Sequence, residues 1–155
     1  MLLAKANYEE EREYVDSLPE IDEIPGLEYF AGNGLGVAAL EDERLIGFLC
    51  CYEPWENAFD SAAKGTFSPI HAHGAIKENR QMIYKRMYQY AAEKWVKHKI
   101  SYHGIALYAH DAESLDAFFT YGFGLRCMDA IRPMCEIECR PQDGLRFEEL
   151  TKAKV

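Results

Sequence analysis

The stretch from Thr66 to Lys99, TFSPIHAHGAIKENRQMIYKRMYQYAAEKWVKHK, constrains this chain more than any other. A short strand-like run, Thr66 to Ile70, turns through His71-Ala72-His73-Gly74 and leads into a long helix. Ile83, Met87 and Ala91 fall four apart, and Tyr84, Tyr88 and Trp95 supply the adjoining stripe, so one helical face is apolar. Neither Gly nor Pro interrupts Ala75 to Lys99. Strand, tight turn and helix together aim backbone N–H groups and a positive helix end at one point, which suits a phosphate. Seven Lys or Arg stand against two Glu between Ala75 and Lys99, in a chain of net charge −9. A solvated helix face would carry the same charges.

The rest of the chain builds a domain around that unit. Leu2 to Leu18 reads as a helix, with Leu3, Asn7, Tyr14 and Leu18 near one face and Pro19 ending it. Leu18 to Gly34, with its prolines and glycines, reads as loop around a short helical turn. Gly36 to Tyr52 reads as a hairpin, two apolar runs flanking Glu41-Asp42-Glu43-Arg44. Glu53 to Gly65 is polar and too long for a tight turn, the pattern of a binding loop or a mobile one. Ser101 to Ala109 reads as a strand buried on both faces. Asp111 caps a helix from Ala112 to Tyr121, with Leu115, Phe118 and Phe119 inward and Gly122-Phe123-Gly124 as its stop. Leu125 to Arg132 and Met134 to Cys139 are read as strands. The order gives an α/β (α+β) domain on a mixed sheet.

Length and composition narrow the class. A chain of 155 residues makes one domain with a real core, and 48% apolar with 13% aromatic content excludes general disorder. Its acidity argues against nucleic acid as a partner, because phosphate contacts need clustered Lys and Arg. Much of that acidity sits early: Met1 to Phe30 holds nine Asp or Glu against Lys5 and Arg12. No apolar run approaches the roughly 20 residues that cross a bilayer, so no membrane is expected. Glu9 to Glu13 fall where a secretion signal would need its apolar core. Cys50, Cys51, Cys127, Cys135 and Cys139 are odd in number and form no C-x-x-C pair, which suits free thiols in a cytoplasmic protein.

From about Val37 to Pro133 the chain resembles the GNAT superfamily of acyl-CoA-dependent N-acyltransferases. Four features in order carry the resemblance: the hairpin, the strand-turn-helix unit, the strand ending Ala109-His110-Asp111, and the helix ending Tyr121-Gly122-Phe123. The last is the most specific. The family often reads Asn-x-x-Ala-x-x-x-Tyr-x-x-x-Gly-Phe there, and this chain reads Asp111-AESLDAFFTY-Gly122-Phe123. The resemblance implies a mixed, mostly antiparallel central sheet with helices on both faces. It also implies acetyl-CoA lying across splayed central strands, its pyrophosphate on an Arg/Gln-x-x-Gly-x-Gly/Ala loop. That places the cofactor against Ile70, His71 and Ala72, and against Asn79, Arg80, Gln81, Met82, Ile83 and Tyr84. Met82 and Tyr84 stand where the family has glycines, and Phe118 stands where it often has a Tyr that protonates the leaving thiolate.

Acyl transfer to an amine needs a base, a polarised carbonyl and a proton for the thiolate. His71 and His73 are candidate bases, and Tyr121 or Tyr84 a replacement acid. Each also reads as an ordinary polar residue at a strand end or an aromatic of the core. A metal reading of His71-x-His73 would need further ligands from Cys50, Cys51, His103 or His110, and no standard spacing supplies them, so no metal is assigned. Two functions follow: an N-acetyltransferase domain acting on a small-molecule or peptide amine, or a non-catalytic half that packs on an active partner domain. Residues 1–140 are read as the GNAT-like domain. Residues 141–155 are read as a linker and the possible first strand, Leu145 to Leu150, of a second GNAT-like domain, or a strand exchanged in a homodimer.

Overall fold

A computed structural model describes residues 2–136, 144 and 147–151. Helix α1 (Leu2–Arg12) is followed by a short helix, α2 (Glu28–Gly32), and the hairpin β1 (Val37–Glu41) and β2 (Arg44–Leu49). After the polar loop come β3 (Gly65–Ser68), β4 (His73–Ala75), the long helix α3 (Arg80–Lys97), β5 (Tyr102–Ile105) and α4 (Ala112–Thr120). The sheet is mixed. β1, β2 and β4 are antiparallel neighbours, and β3 pairs with β5 in parallel. Backbone bonds from Tyr52 N to Phe67 O (2.9 Å) and Cys50 N to Ala72 O (2.8 Å) carry the pairing from β2 across the break between β3 and β4. That break falls at Pro69, which has no N–H to give a ladder.

Alternation along β2 assigns its two faces. A Cβ on Gly47 would come 2.7 Å from Ile83, so this residue lies against α3. The next residue, Phe48, packs instead with Ala4 and Ile24 on the α1 side. Leu49 and Cys51 return to the α3 side, in a cluster with Met87, Ala91, Trp95, Ala117 and Phe118. Period-two alternation thus feeds two cores of unequal size. Helices cover both faces, as expected.

The apolar stripe of α3 is the one the spacing predicts: Ile83, Tyr84, Met87, Ala91 and Trp95 are buried. Asp111 caps α4 by accepting from Ser114 N, also as predicted. Gly122, at φ 86°, ends that helix, with Gly122 N bonded to Phe119 O and Phe123 N to Phe118 O.

Several expectations are corrected. α1 stops at Arg12, not Leu18. α3 begins at Arg80, five residues later than its unbroken pattern suggests, because Gly74 and Ala75 pair with Phe48 and Gly47 and Ile76 N bonds Ile46 O. Phe119 points outward, and Ser114 and Ala117 point inward in its place. β5 is half-buried, with no strand on its outer side among the described residues. Residues 125–136 form no strand, and Leu125, Met128, Ile131 and Met134 are exposed. Residues 147–150 are likewise exposed and take no strand conformation; the remainder of the two predicted C-terminal strands, 137–139 and 145–146, lies outside the described residues.

Candidate active site

β3 and β5 run side by side from Gly65/Tyr102 to Ser68/Ile105, and one further bond joins Ala106 N to Ser68 O (3.0 Å). Beyond it the two chains part. β4 stays with β2, while Ala106 to Asp111 leads to α4. A parting between parallel strands leaves backbone groups on both lips without a ladder, and something must satisfy them.

His73 lies in the parting. Its Nε2 is 2.7 Å from Ala106 O, an oxygen that can only accept, so Nε2 carries the proton. Nδ1 then offers a lone pair, and the Tyr84 hydroxyl, 2.8 Å away, donates to it. Burial holds the His73 pKa down at about 4, so the ring is neutral near pH 7. Burial likewise raises the Tyr84 pKa, and the phenol keeps its proton. Tyr84 is 1% exposed and packs on Phe118, ring centroids 5.4 Å apart. Its side chain therefore points inward, away from the surface at the start of α3, while Met82 is 52% exposed.

Arg80, in the first turn of α3, is buried below that surface. Its guanidinium meets Glu10 as a fork (2.7 and 2.9 Å) and Asp111 at 3.3 Å. Burial opposes its charge, and these two carboxylates restore it. Asn79 precedes it with φ 56°. Gln81 N donates to Glu113 (3.3 Å), and the Gln81 side chain reaches Asp116. Ile83 N has its helical bond to Asn79 O. The helix start thus gathers anions, and here the chain's own carboxylates are those anions.

The other predicted residues are dispersed. Ile70, His71 and Ala72 form the turn between β3 and β4, where Ala72 N bonds Pro69 O. His71 lies edge-on to Phe30, and burial lowers its pKa. It meets α2 while His73 meets α3, so the two rings do not converge on one ligand. Among the described residues no group of three or more His, Cys, Asp or Glu is placed to hold a metal. Tyr121 is half-exposed against Tyr88 at the far end of α4, its hydroxyl 3.4 Å from Lys85 O. Of the two tyrosines considered as acids, Tyr84 is the one at the parting.

Sequence reasoning missed the contribution of α1. Asn7 donates from Nδ2 to Ala75 O (3.0 Å) and accepts from Ala75 N at Oδ1 (3.1 Å). Glu11 accepts from both His110 N (3.2 Å) and His110 Nδ1 (2.8 Å). One signal was available: an Asn on the otherwise apolar face of α1. His103, considered above only as a metal ligand, has its Nε2 bonded to Ser68 Oγ (2.9 Å) while its Nδ1 is buried without a partner. Burial takes its pKa down to about 3. A cleft of about 200 Å³ remains between α1 and the starts of α3 and α4, lined by Glu10, Lys77, Arg80, Tyr108, His110 and Asp111. A larger open depression, about 880 Å³, lies along the outer side of α3; Tyr121 lines it, but His73, Tyr84 and Arg80 do not.

No family model matches the chain, and no curated protein matches it. Solved structures do. A probable acetyltransferase superposes with a TM-score of 0.53 at 17% identity, covering 87% of this chain and 91% of that one. An aminoglycoside acetyltransferase from an uncultured soil metagenomic sample, in complex with sisomicin, gives 0.51 at 13% identity, covering 85% and 88%. A second aminoglycoside acetyltransferase of the same kind of source gives 0.53 at 14%, covering 84% of each chain. At these identities the likeness speaks for architecture: the chain has the GNAT-type acetyltransferase fold.

Proposed function

We propose that this is an N-acyltransferase domain that takes an acyl group from acetyl-CoA to a cationic amine. The observation that carries the reading is the parting of β4 from the chain after β5, with a neutral His73 and a protonated Tyr84 inside it. The anion-gathering start of α3 fits a pyrophosphate in charge. Glu113 covers Gln81 N by one exposed hydrogen bond, worth about 1 kcal/mol or less, so a doubly charged group displaces it readily. Acetyl-CoA supplies a thioester carbonyl and a leaving thiolate. Tyr84 holds the proton a thiolate needs, taking over from the Tyr that Phe118 replaces, and His73 Nδ1 is the acceptor released when that hydroxyl turns away. The net charge of −9 favours a cationic acceptor, and an aminoglycoside of the kind bound by one solved neighbour is such a polyamine. Free thiols at Cys50, Cys51, Cys127 and Cys135 fit a cytoplasmic setting, and no described helix is long and apolar enough to cross a membrane.

Isothermal titration with acetyl-CoA and CoA tests this. Binding tighter than about millimolar is expected, together with thiol release when a polyamine is added. No binding to an intact fold would leave the second reading, a non-catalytic half docked on a partner domain. The exposed Leu125, Met128, Ile131 and Met134 favour that alternative, because such side chains suit an interface.

A further inference from the structure

We propose that α1 is an internal strap across the acyl-CoA groove, and that the groove takes its ligand only when this helix swings away. The inference rests on the acyl-CoA reading above. Three residues of one helical face, Asn7, Glu10 and Glu11, stand at i, i+3 and i+4 and reach both lips of the parting.

Asn7 holds the first lip. Along β4, Gly74 faces its ladder partner Phe48, and the flanking residues Ala72 and Ile76 bond Cys50 and Ile46 on β2. The N–H and C=O of Ala75 therefore point the other way, into the parting, and the Asn7 amide takes both of them. An extended ligand lying there would pair with those same two groups, as an added strand does. Glu11 holds the second lip, through the backbone and ring of His110, and Tyr14 stacks on that ring at 5.1 Å. Glu10 lies between them on Arg80, where the carboxylate stands in for an anion from solution. A Cβ on Gly74 would come 3.1 Å from Asn7 Oδ1 and 3.2 Å from Ala4 N, so the glycine lets the helix lie this close.

The apolar part of this contact is smaller than the α3 core: Ala4, Ile24 and Phe48 are buried, with Leu3, Tyr8, Ile21, Leu27 and Cys50 partly buried against them. The polar hooks of Asn7, Glu10 and Glu11 are recovered in water when the helix lifts. A closed strap lowers apparent ligand affinity by the fraction of molecules that are open. Loosening the strap should then raise affinity, whereas most substitutions near a binding groove lower it.

Titration of the full chain with CoA, for the parent, Asn7→Ala and Glu10→Gln, is the test, with hydrogen exchange on the same samples. Asn7→Ala leaves both Ala75 groups unpaired in the closed form, so CoA should bind about tenfold tighter. Glu10→Gln should give a smaller gain in the same direction, and it keeps the test open if Asn7→Ala does not fold. In the parent, saturating CoA should speed exchange of the α1 amides while protecting α3. If α1 exchanges faster in the variants and CoA affinity does not change, the strap is wrong and the acyl-CoA reading stands. If no form binds CoA although α1 is loosened, both fail together. Slower exchange of α1 on CoA binding would also overturn the strap.

Discussion

The two faces of the sheet are held by different physics. On the α3 side, side chains from four strands and two helices close a continuous apolar core from Leu35 to Phe118. On the α1 side a few apolar contacts are supplemented by polar hooks: Asn7 on Ala75, Glu10 on Arg80, Glu11 on His110. Burial of large side chains is worth a few kcal/mol each and cannot be recovered without unfolding. A protein hydrogen bond is worth about 1 kcal/mol net and is exchanged for one to water. A single sheet can therefore carry one face that is permanent and another that detaches.

The largest effect should come from the permanent face. Trp95 is buried in the core and donates from Nε1 to Leu35 O (3.1 Å). Trp95→Ala leaves a cavity and an unpaired carbonyl, at a cost of about 3–5 kcal/mol. An unfolding free energy from urea titration that falls by less than about 1 kcal/mol would mean that this face is not the main support.

The same contrast decided what could be read in advance. The α3 stripe was legible because burial against a sheet imposes a helical period on Ile83, Met87, Ala91 and Trp95. The hairpin and the α4 cap were legible for similarly local reasons. The hooks of α1 join residues 68 to 99 apart in the chain, and polar pairs at such separation leave no period. The late start of α3 was illegible for a related reason. Ala75 to Asn79 carries no helix breaker, and pairing with β2 outweighs its propensity. Residues 125–132 show the reverse error, a strand-like composition without a strand partner among the described residues.

Acid should attack the α3 face next. His73 and His103 lie on that side, held neutral by burial at about 4 and about 3 against an ordinary 6.5. As pH falls below 6.5 the unfolded chain takes up these protons and the folded chain does not, so stability is full above that pH and erodes toward 4 and then 3. For His73 alone the loss is on the order of 3 kcal/mol. Urea midpoints measured from pH 7 to 4.5 should fall steadily, and His103→Leu should flatten the slope. A midpoint independent of pH over that range would contradict the burial of these two rings in their neutral form.

A smaller effect belongs to the other face. Asn7→Ala removes two hydrogen bonds, at roughly 1–2 kcal/mol. The loss should show as faster hydrogen exchange in α1, with the α3 amides slowed or sped only as far as global stability changes. Equal acceleration of α1 and α3 would mean that the two faces open together.

The smallest effect tests that separation most directly. The hairpin turn places Asp42 and Glu43 at φ 45° and 65°, a left-handed pair that Asn-Gly adopts with less strain. Asp42→Asn with Glu43→Gly should therefore stabilise the hairpin by about 0.5–1 kcal/mol. β2 serves both faces, Gly47 and Leu49 toward α3 and Phe48 toward α1, so a firmer hairpin favours the whole domain. Exchange from the α3 core needs global unfolding and should slow by that amount. Exchange from α1 needs only its own detachment from a sheet that stays folded, and its rate should not change. If the α1 amides slow in step with those of α3, the helix unfolds only with the domain, and the distinction between a permanent face and a detachable one is lost.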